Sequence, residues 1–237
     1  MVGLAFPTTG DTLADRLIDG GEIEPDVFCG LAGQYVVAVL TLAGGRLDRP
    51  CCRGSFCSGV LLTGRDGVGI ALVPDVDPAT TRSAIRKLGS CLPAGGWLAL
   101  SRRPADRIVD GYREALDIVR LLEAGRRPGG TYQMTDVLVE YAVTREQEVA
   151  EQLVSMIKPL RQYPVLRETL VALVDADHNR NQAAKLLFVH RSTIDYRLGK
   201  IAEITGVDPL TGRGLQQLAI ALIAEAFCEP PSDRSFG

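Results

Sequence analysis

Residues 179–206 read NRNQAAKLLFVHRSTIDYRLGKIAEITG, and their apolar residues recur at the spacing of two helices joined by a tight turn. The first predicted helix covers about Asn181–Leu187, and the turn covers Phe188–Arg191. The second helix begins at Arg191 or Ser192, because serine is a favoured N-cap residue. The predicted inner residues are Ala183, Leu186 and Leu187, then Val189 in the turn, then Ile194, Leu198 and Ile201. This pattern predicts a helix-turn-helix at about residues 180–204.

The outer face of the second predicted helix carries hydroxyl and basic groups. At about 100° per residue, the side opposite the apolar stripe presents Ser192, Tyr196, Gly199 and Lys200, flanked by Thr193, Asp195 and Arg197. Hydroxyl groups reach phosphates or base edges, and Arg and Lys supply a salt-dependent attraction. The pattern predicts that a helix over about Ser192–Ile204 enters the major groove of DNA.

Positive charge is concentrated in this same segment. Between Arg180 and Lys200 there are five basic residues and one acidic residue, a net charge of +4, whereas the whole chain carries −3. The rest of the protein therefore sums to −7, which excludes a polycation that coats nucleic acid by bulk charge. The alternative interpretation is an ordinary helical hairpin with a solvated basic face.

The segment also contains four short motifs: Asn-x-Ala-Ala, Val-His-Arg, Thr-x-x-Tyr-Arg-Leu and Ile-Thr-Gly. They stand here as Asn181, Ala183 and Ala184; Val189, His190 and Arg191; Thr193, Tyr196, Arg197 and Leu198; and Ile204, Thr205 and Gly206. In these motifs the chain resembles the C-terminal helix-turn-helix of the PucR/CdaR family of bacterial transcription regulators, and more weakly the Fis-type motif. The resemblance covers roughly residues 145–227, with Ser192 standing where the family most often has Asn.

The resemblance implies sequence-specific binding to double-stranded DNA and regulation of transcription. The residues expected to contact DNA are Asn181, Gln182, His190, Arg191, Ser192, Thr193, Tyr196, Arg197 and Lys200. Of these, Arg191 and Arg197 are expected to grip the backbone, and His190 to cap the turn or touch a phosphate. One helix-turn-helix makes too few contacts for tight specific binding, so a homodimer on a repeated half-site is expected.

The N-terminal half has the apolar spacing typical of an α+β or α/β domain. The predicted elements are a helix at 11–19, a strand at Tyr35–Leu42 buried on both faces, a hairpin of Gly59–Thr63 and Val68–Val73 around the turn Gly64–Gly67, a helix at Pro78–Leu88, a strand at Trp97–Leu100 and a helix at Ala105–Ala124. After about residue 134 the apolar spacing becomes helical throughout. We therefore expect an α/β domain over 1–133, an all-α domain over 134–228 and a flexible tail over 229–237.

Residues Gly59–Pro74, Trp97–Asp106 and Gly111–Leu122 are similar in layout to the degenerate GGDEF-like domain that often precedes this helix-turn-helix. An active cyclase of that fold needs acidic residues in its hairpin for a divalent metal and the nucleotide phosphates. Val68 and Gly69 stand at those positions here, and Asp66 alone cannot build the site. The resemblance therefore implies no enzymatic activity and no cofactor, which disfavours an active nucleotide cyclase.

This domain is expected to supply dimerisation and to bind an unidentified small-molecule effector, if any. Ordinary members of the family also carry a separate N-terminal sensor domain, so the chain is expected to be a minimal version without it. The alternative function is a non-catalytic ligand-binding or protein-interaction module, in which the helical domain only mediates assembly. Retention on duplex DNA that fades with salt discriminates between the two functions.

The remaining features concern compartment and cysteines. The 237-residue chain has no apolar run long enough to span a membrane, and no Lys or Arg precedes the short apolar stretch at its N-terminus, so a cytoplasmic protein without membrane contact is expected. Cys51, Cys52 and Cys57 lack the paired spacing of a zinc site, and no metal is expected there. They are interpreted as reduced cysteines in a surface loop, with a redox or metal role as the alternative. Cys29 and Cys91 are expected in the core.

Overall fold

The computed structural model describes residues 12–42 and 59–228. Within these, the chain divides into two compact units. The first unit comprises residues 12–42, 59–123 and 127–138, and the second comprises 124–126 and 139–228. Three predictions fall outside the described residues. They are the start of the first domain, the flexible tail over 229–237 and the surface loop with Cys51, Cys52 and Cys57.

The first unit is built on a mixed sheet. Its described strands are β1 Gln34–Leu42, β2 Leu61–Arg65, β3 Val68–Pro74, β4 Gly96–Pro104 and β5 Gly130–Gln133. Their order across the sheet is β2-β3-β1-β4-β5, with β4 and β5 parallel and the other neighbours antiparallel. The prediction of a mixed α and β fold for this half is confirmed. Strand β5 was not predicted, because it begins within the Pro128-Gly129-Gly130 break and its four residues carry no apolar run.

Strand β1 lies in the centre of the sheet and is buried on both faces, as predicted. Residues Val36 to Leu40 are each at most 2% exposed. On one face Val36, Ala38 and Leu40 pack in a core with Ala84 and Leu88. On the other face, a Cβ added to Gly111 would lie 2.9 Å from Val37 Cγ2, so glycine lets the helix that follows β4 approach the sheet closely.

The hairpin of β2 and β3 has the turn that its sequence predicts. Asp66 and Gly67 both have positive φ angles, 53° and 79°, as a two-residue type I′ turn requires. Arg65 pairs with Val68 across the turn. Val68 is 4% exposed, so its side chain belongs to the core rather than to a surface hairpin site.

The described part of the first unit also contains four helices. They are α1 Leu13–Asp19, α2 Pro25–Cys29, α3 Pro78–Cys91 and α4 Ile108–Ala124, the last preceded by a 3-10 turn at Ala105–Arg107. Helix α2 was not predicted, since five residues are too few to show helical periodicity. Cys29, in this helix, is exposed, which corrects its placement in the core, whereas Cys91 packs against the sheet as a partly buried residue.

The second unit is helical, as predicted. Its helices are α5 Leu138–Arg145, α6 Gln147–Ile157, α7 Pro164–Asp175, α8 Arg180–Leu186, α9 Arg191–Thr205 and α10 Gly212–Cys228, with a 3-10 turn at Lys158–Gln162 between α6 and α7. Leu170, Ile194, Leu198, Ile201 and Leu218 are fully buried together in one apolar core. Helices α7, α8 and α9 therefore share a core with α10. Within the described residues, no helix is both long enough and apolar enough to cross a bilayer.

One buried acid ties three elements of this unit together. Glu225 on α10 is 5% exposed, and Arg161 Nε donates to its Oε1 at 2.7 Å. A guanidinium nitrogen of Arg167, on α7, donates to Oε2 at 2.6 Å. Burial raises the pKa of Glu225, but the hydrogen bonds from Arg167 and Arg161 together outweigh burial and hold it below its ordinary value.

Candidate nucleic-acid interface

Helix α8 begins one residue earlier than predicted. The Asn179 side chain caps it by accepting the Gln182 backbone N–H at 3.1 Å, so its first residue is Arg180. Ala183 and Ala184 are buried, and small side chains there let α8 pack closely against its neighbours. Asn181 and Gln182, both predicted to contact DNA, are exposed in its first turn.

Leu186 is 46% exposed, which corrects its predicted place inside the helix pair. The buried direction of α8 is set by Ala183 and Ala184, with Leu187 packed partly against the core. At about 100° per residue, Leu187 falls between the two alanines on the helical wheel, and Leu186 falls well to one side. A seven-residue helix has room for only one narrow buried stripe.

The turn between α8 and α9 holds an unusual residue. Val189 packs against the core, as predicted, and its N–H donates to Ala184 O at 3.0 Å. Phe188, immediately before it, is 94% exposed and has a φ of 53°, in the left-handed region. Sequence reasoning placed Phe188 in the turn without assigning it a role, because neither its φ angle nor its exposure follows from apolar spacing.

His190 is the N-cap of α9. Its ring Nδ1 accepts the Ser192 backbone N–H at 3.3 Å and lies 2.8 Å from Ser192 Oγ. The helix therefore begins at Arg191, and Ser192 is its second residue rather than its cap. The predicted capping role of Ser192 is wrong, because the imidazole supplies the acceptor that a serine hydroxyl would otherwise provide.

The faces of α9 are oriented as the sequence predicts. Ile194, Leu198 and Ile201 are fully buried. Tyr196 is 67% exposed, and Ser192 and Gly199 are exposed on the same side. Thr193 and Lys200 are partly exposed at the edges of this side. We call Ser192, Tyr196, Gly199 and Lys200 the outer face of α9.

Ion pairs within the unit offset part of its positive charge. Asp195 accepts from Arg180 at 2.9 Å and lies 3.8 Å from Arg191 Nε, so one acid bridges α8 and the start of α9. Lys200 donates to Glu203 at 2.7 Å, and this hydrogen bond raises the pKa of Lys200. Glu203, just beyond the basic segment, was not weighed at the sequence level. The signal for it was the (i, i+3) spacing of two opposite charges on one helix.

Arg197 differs from the other predicted contacts. Its guanidinium donates to Thr169 Oγ1 at 3.3 Å, and Thr169 is a fully buried residue of α7. The side chain is thus directed toward the adjoining helix instead of lying with the outer face. In the described structure it joins α9 to α7.

The site thus consists of a short helix, a tight turn and a longer helix. The buried stripe of the longer helix fixes its orientation, and polar groups of its N-terminal half are exposed to solvent. These features define a helix-turn-helix domain. Residues 166–224 match the family model of the PucR C-terminal helix-turn-helix domain. The resemblance stated from the sequence motifs is thereby confirmed for this segment.

Two curated proteins are similar to the chain. The transcriptional activator PmfR of Paenarthrobacter nicotinovorans is 43% identical over 60 residues, which are 25% of this chain and 13% of PmfR. The DNA-binding transcriptional activator AdeR of Bacillus subtilis is 32% identical over 111 residues, 41% of this chain and 25% of AdeR. The matches span a quarter or less of each relative's length.

A solved structure is also similar. It is that of a regulator of polyketide synthase expression from Bifidobacterium adolescentis, at 19% identity, covering 93% of this chain and 92% of that one with a TM-score of 0.36. A TM-score this low supports no conclusion about fold or function. The GGDEF-like resemblance of the first unit therefore stays a prediction.

Proposed function

We propose that this protein is a sequence-specific DNA-binding transcription regulator that places α9 in the major groove. The single observation that carries the proposal is the orientation of α9 within a helix-turn-helix of the PucR type: one stripe is fully buried, and Ser192 and Tyr196 are exposed on the opposite side. Both curated relatives are named as transcriptional activators, which supports the same function.

The proposed contacts follow from the positions of the side chains. Ser192, Thr193 and Tyr196 lie in the N-terminal half of α9, the part of a recognition helix that meets base edges. The positive end of the helix dipole, together with His190 and Arg191, attracts a phosphate. Asn181 and Gln182, in the first turn of α8, contact the flanking backbone. Lys200 adds an electrostatic contact further along α9, in competition with its Glu203 partner.

The first unit has a different proposed role. A single helix-turn-helix supplies too few contacts for tight specific binding, so we propose a homodimer that acts on cytoplasmic DNA with repeated half-sites, paired through the first unit. We also propose that this unit binds any effector and catalyses no reaction. In support, this position of the hairpin holds Val68, whose buried side chain has no carboxylate to offer a metal.

The test is a double substitution on the outer face, Tyr196→Ala/Lys200→Ala. We expect it to weaken binding to the selected operator by about 30-fold, or roughly 2 kcal/mol, because a base or phosphate contact and a charge are both lost. The midpoint of thermal unfolding should be unchanged, since both side chains point away from the core. The measurement is fluorescence anisotropy with an operator duplex recovered from genomic DNA.

Gln152→Ala/Lys158→Ala is the matched control. It makes the same change of charge and truncates an uncharged polar side chain and a lysine at two exposed residues, in α6 and the turn that follows it. We expect the control to bind the operator like the unaltered protein. Equal operator affinity for the outer-face variant and the control would overturn the assignment of the face.

A further inference from the structure

Phe188 combines two features that proteins ordinarily avoid. Its ring is 94% exposed, so the apolar surface is not removed from water. Its φ of 53° lies in the left-handed region, where a bulky side chain is an outlier and glycine is the default residue. Glycine at this position would make the same turn without either disadvantage.

The other non-glycine residues with positive φ, among those the structure describes, are of a different kind. They are Asp66, Arg126, Asp177 and His178, all polar. His178 uses its ring nitrogen within the fold, 3.2 Å from Pro209 O. Phe188 alone in this described set is apolar, and its backbone N–H donation to Lys185 O at 3.2 Å is one that any residue could make. The fold therefore gives no reason for the phenyl ring.

The position of Phe188 indicates the kind of partner. It lies two residues before His190, the N-cap of α9. Phe188 is therefore close to the N-terminal end of the helix that, in the proposed function, enters the major groove. Lys185 and Arg191, three residues to either side, are both exposed cations. An exposed ring that is flanked in the sequence by two exposed basic residues suits a polyanion that also offers apolar surface, and duplex DNA offers both.

We propose that Phe188 makes an apolar contact with DNA at the edge of the major groove and so contributes to operator binding. The ring packs on the C5-methyl group of a thymine or on a deoxyribose, the two apolar surfaces of DNA that a side chain can reach there. This contact rests on the proposed function, since it needs α9 in the groove. Strained residues cluster at functional sites, which is consistent with this role.

The experiment compares the unaltered full chain with Phe188→Gly and Phe188→Ser on an operator duplex recovered from genomic DNA. Glycine removes the ring and relieves the backbone, so Phe188→Gly should be at least as thermally stable as the unaltered protein. We expect both variants to bind the operator at least 5-fold more weakly. Affinity for a random-sequence duplex should be unchanged if the ring packs on a thymine methyl group, and should fall as well if it packs on deoxyribose, a surface that every sequence offers. Val76→Ala, at a valine of the first unit that is 80% exposed, is the control and should bind normally.

A second set of duplexes distinguishes the two apolar surfaces. Deoxyuridine in place of thymidine removes only the methyl group. If the ring packs on a methyl group, this replacement weakens binding of the unaltered protein but not of Phe188→Gly. If the ring packs on deoxyribose, the replacement leaves binding unchanged while Phe188→Gly still binds weakly.

Two results would overturn the contact, and they differ in what else they affect. In the first, folded Phe188→Gly and Phe188→Ser bind the operator as tightly as the unaltered protein, while Tyr196→Ala/Lys200→Ala binds more weakly. That result would refute the Phe188 contact and leave the proposed function intact. Failure of the unaltered protein to bind any duplex specifically would remove both.

Discussion

His190 shows how one side chain sets the start of the helix proposed to read DNA. Its Nδ1 caps α9 through the Ser192 N–H. His190→Ala should lower the free energy of unfolding by about 1 kcal/mol, the usual loss when an N-cap is removed, and His190→Asn should restore most of it. Urea unfolding followed by circular dichroism measures the difference. Equal stability of the Ala and Asn variants would contradict the capping role.

Single residues also mark the limit of what the sequence predicts. Apolar spacing predicted Ile194, Leu198 and Ile201 as core and Tyr196 as exposed, because one helical period relates them. It misplaced Leu186, because the narrow buried stripe of α8 depends on the helices around it. It did not predict the bond from Arg197 to Thr169, since that bond depends on where α7 packs against α9.

At the scale of elements, Asp195 controls the charge presented by α8 and α9. It pairs with Arg180 and Arg191. Asp195→Asn should release both guanidinium groups and raise affinity for random-sequence duplex at low salt several-fold. The salt slope should be steeper by up to about 2, because each guanidinium that reaches a phosphate contributes about 0.9. Stability should change by less than about 1 kcal/mol, because such exposed pairs contribute little.

The control for Asp195→Asn is Glu168→Gln, which makes the same charge change at an exposed position of α7. Titrations of both variants against duplex at several salt concentrations provide the slopes. A slope for Asp195→Asn no steeper than that for Glu168→Gln would show that the two arginines do not reach phosphate when released.

The junction of α10 with α7 and the 3-10 turn before it predicts a pH dependence. The lowered pKa of Glu225 means that its ion pairs stabilise the fold above its ordinary value of 4.5 and cease to do so as pH falls through the lower, folded value. Glu225→Gln should therefore reduce stability by about 2 kcal/mol near neutral pH. The difference from the unaltered protein should shrink as the pH falls through the lowered pKa of Glu225.

Urea unfolding of the unaltered protein and Glu225→Gln across that pH range tests this expectation. The comparison cancels the contributions of other carboxyl groups, since both proteins share them. A stability difference that stays constant from neutral to acid pH would contradict a charged Glu225 as the source of the stabilisation.

Elements were predicted from the sequence to different degrees. Long periodic segments, such as β1, α3 and α4, were placed well, because their apolar residues repeat over two or more turns or along a whole strand. The hairpin turn was predicted from Asp66-Gly67, whose residue types suit positive φ. Helix α2 and strand β5 were missed, because five and four residues carry no period and their pairing depends on the rest of the sheet.

At the scale of the whole molecule, the excess of positive charge lies in residues 180–200, within the second of the two compact units. The chain is acidic as a whole, at −3, while its exposed cations near α8 and α9 form part of a helical unit with its own apolar core. In the account proposed here, the second unit reads DNA and the first pairs two copies. The sequence motifs predicted that the second unit reads DNA, whereas the pairing of two copies depends on surfaces that no motif specifies.

Recovery of sheared genomic DNA by the intact protein at two salt concentrations, followed by sequencing, tests the central claim most directly. Tyr196→Ala/Lys200→Ala serves as the parallel control. The account predicts a few enriched sites that survive the higher salt, share half-sites spaced by about 10–10.5 base pairs or a multiple of it, and are lost in the variant. Diffuse recovery that vanishes at higher salt, or the same sites recovered by the variant, would contradict sequence reading by α9.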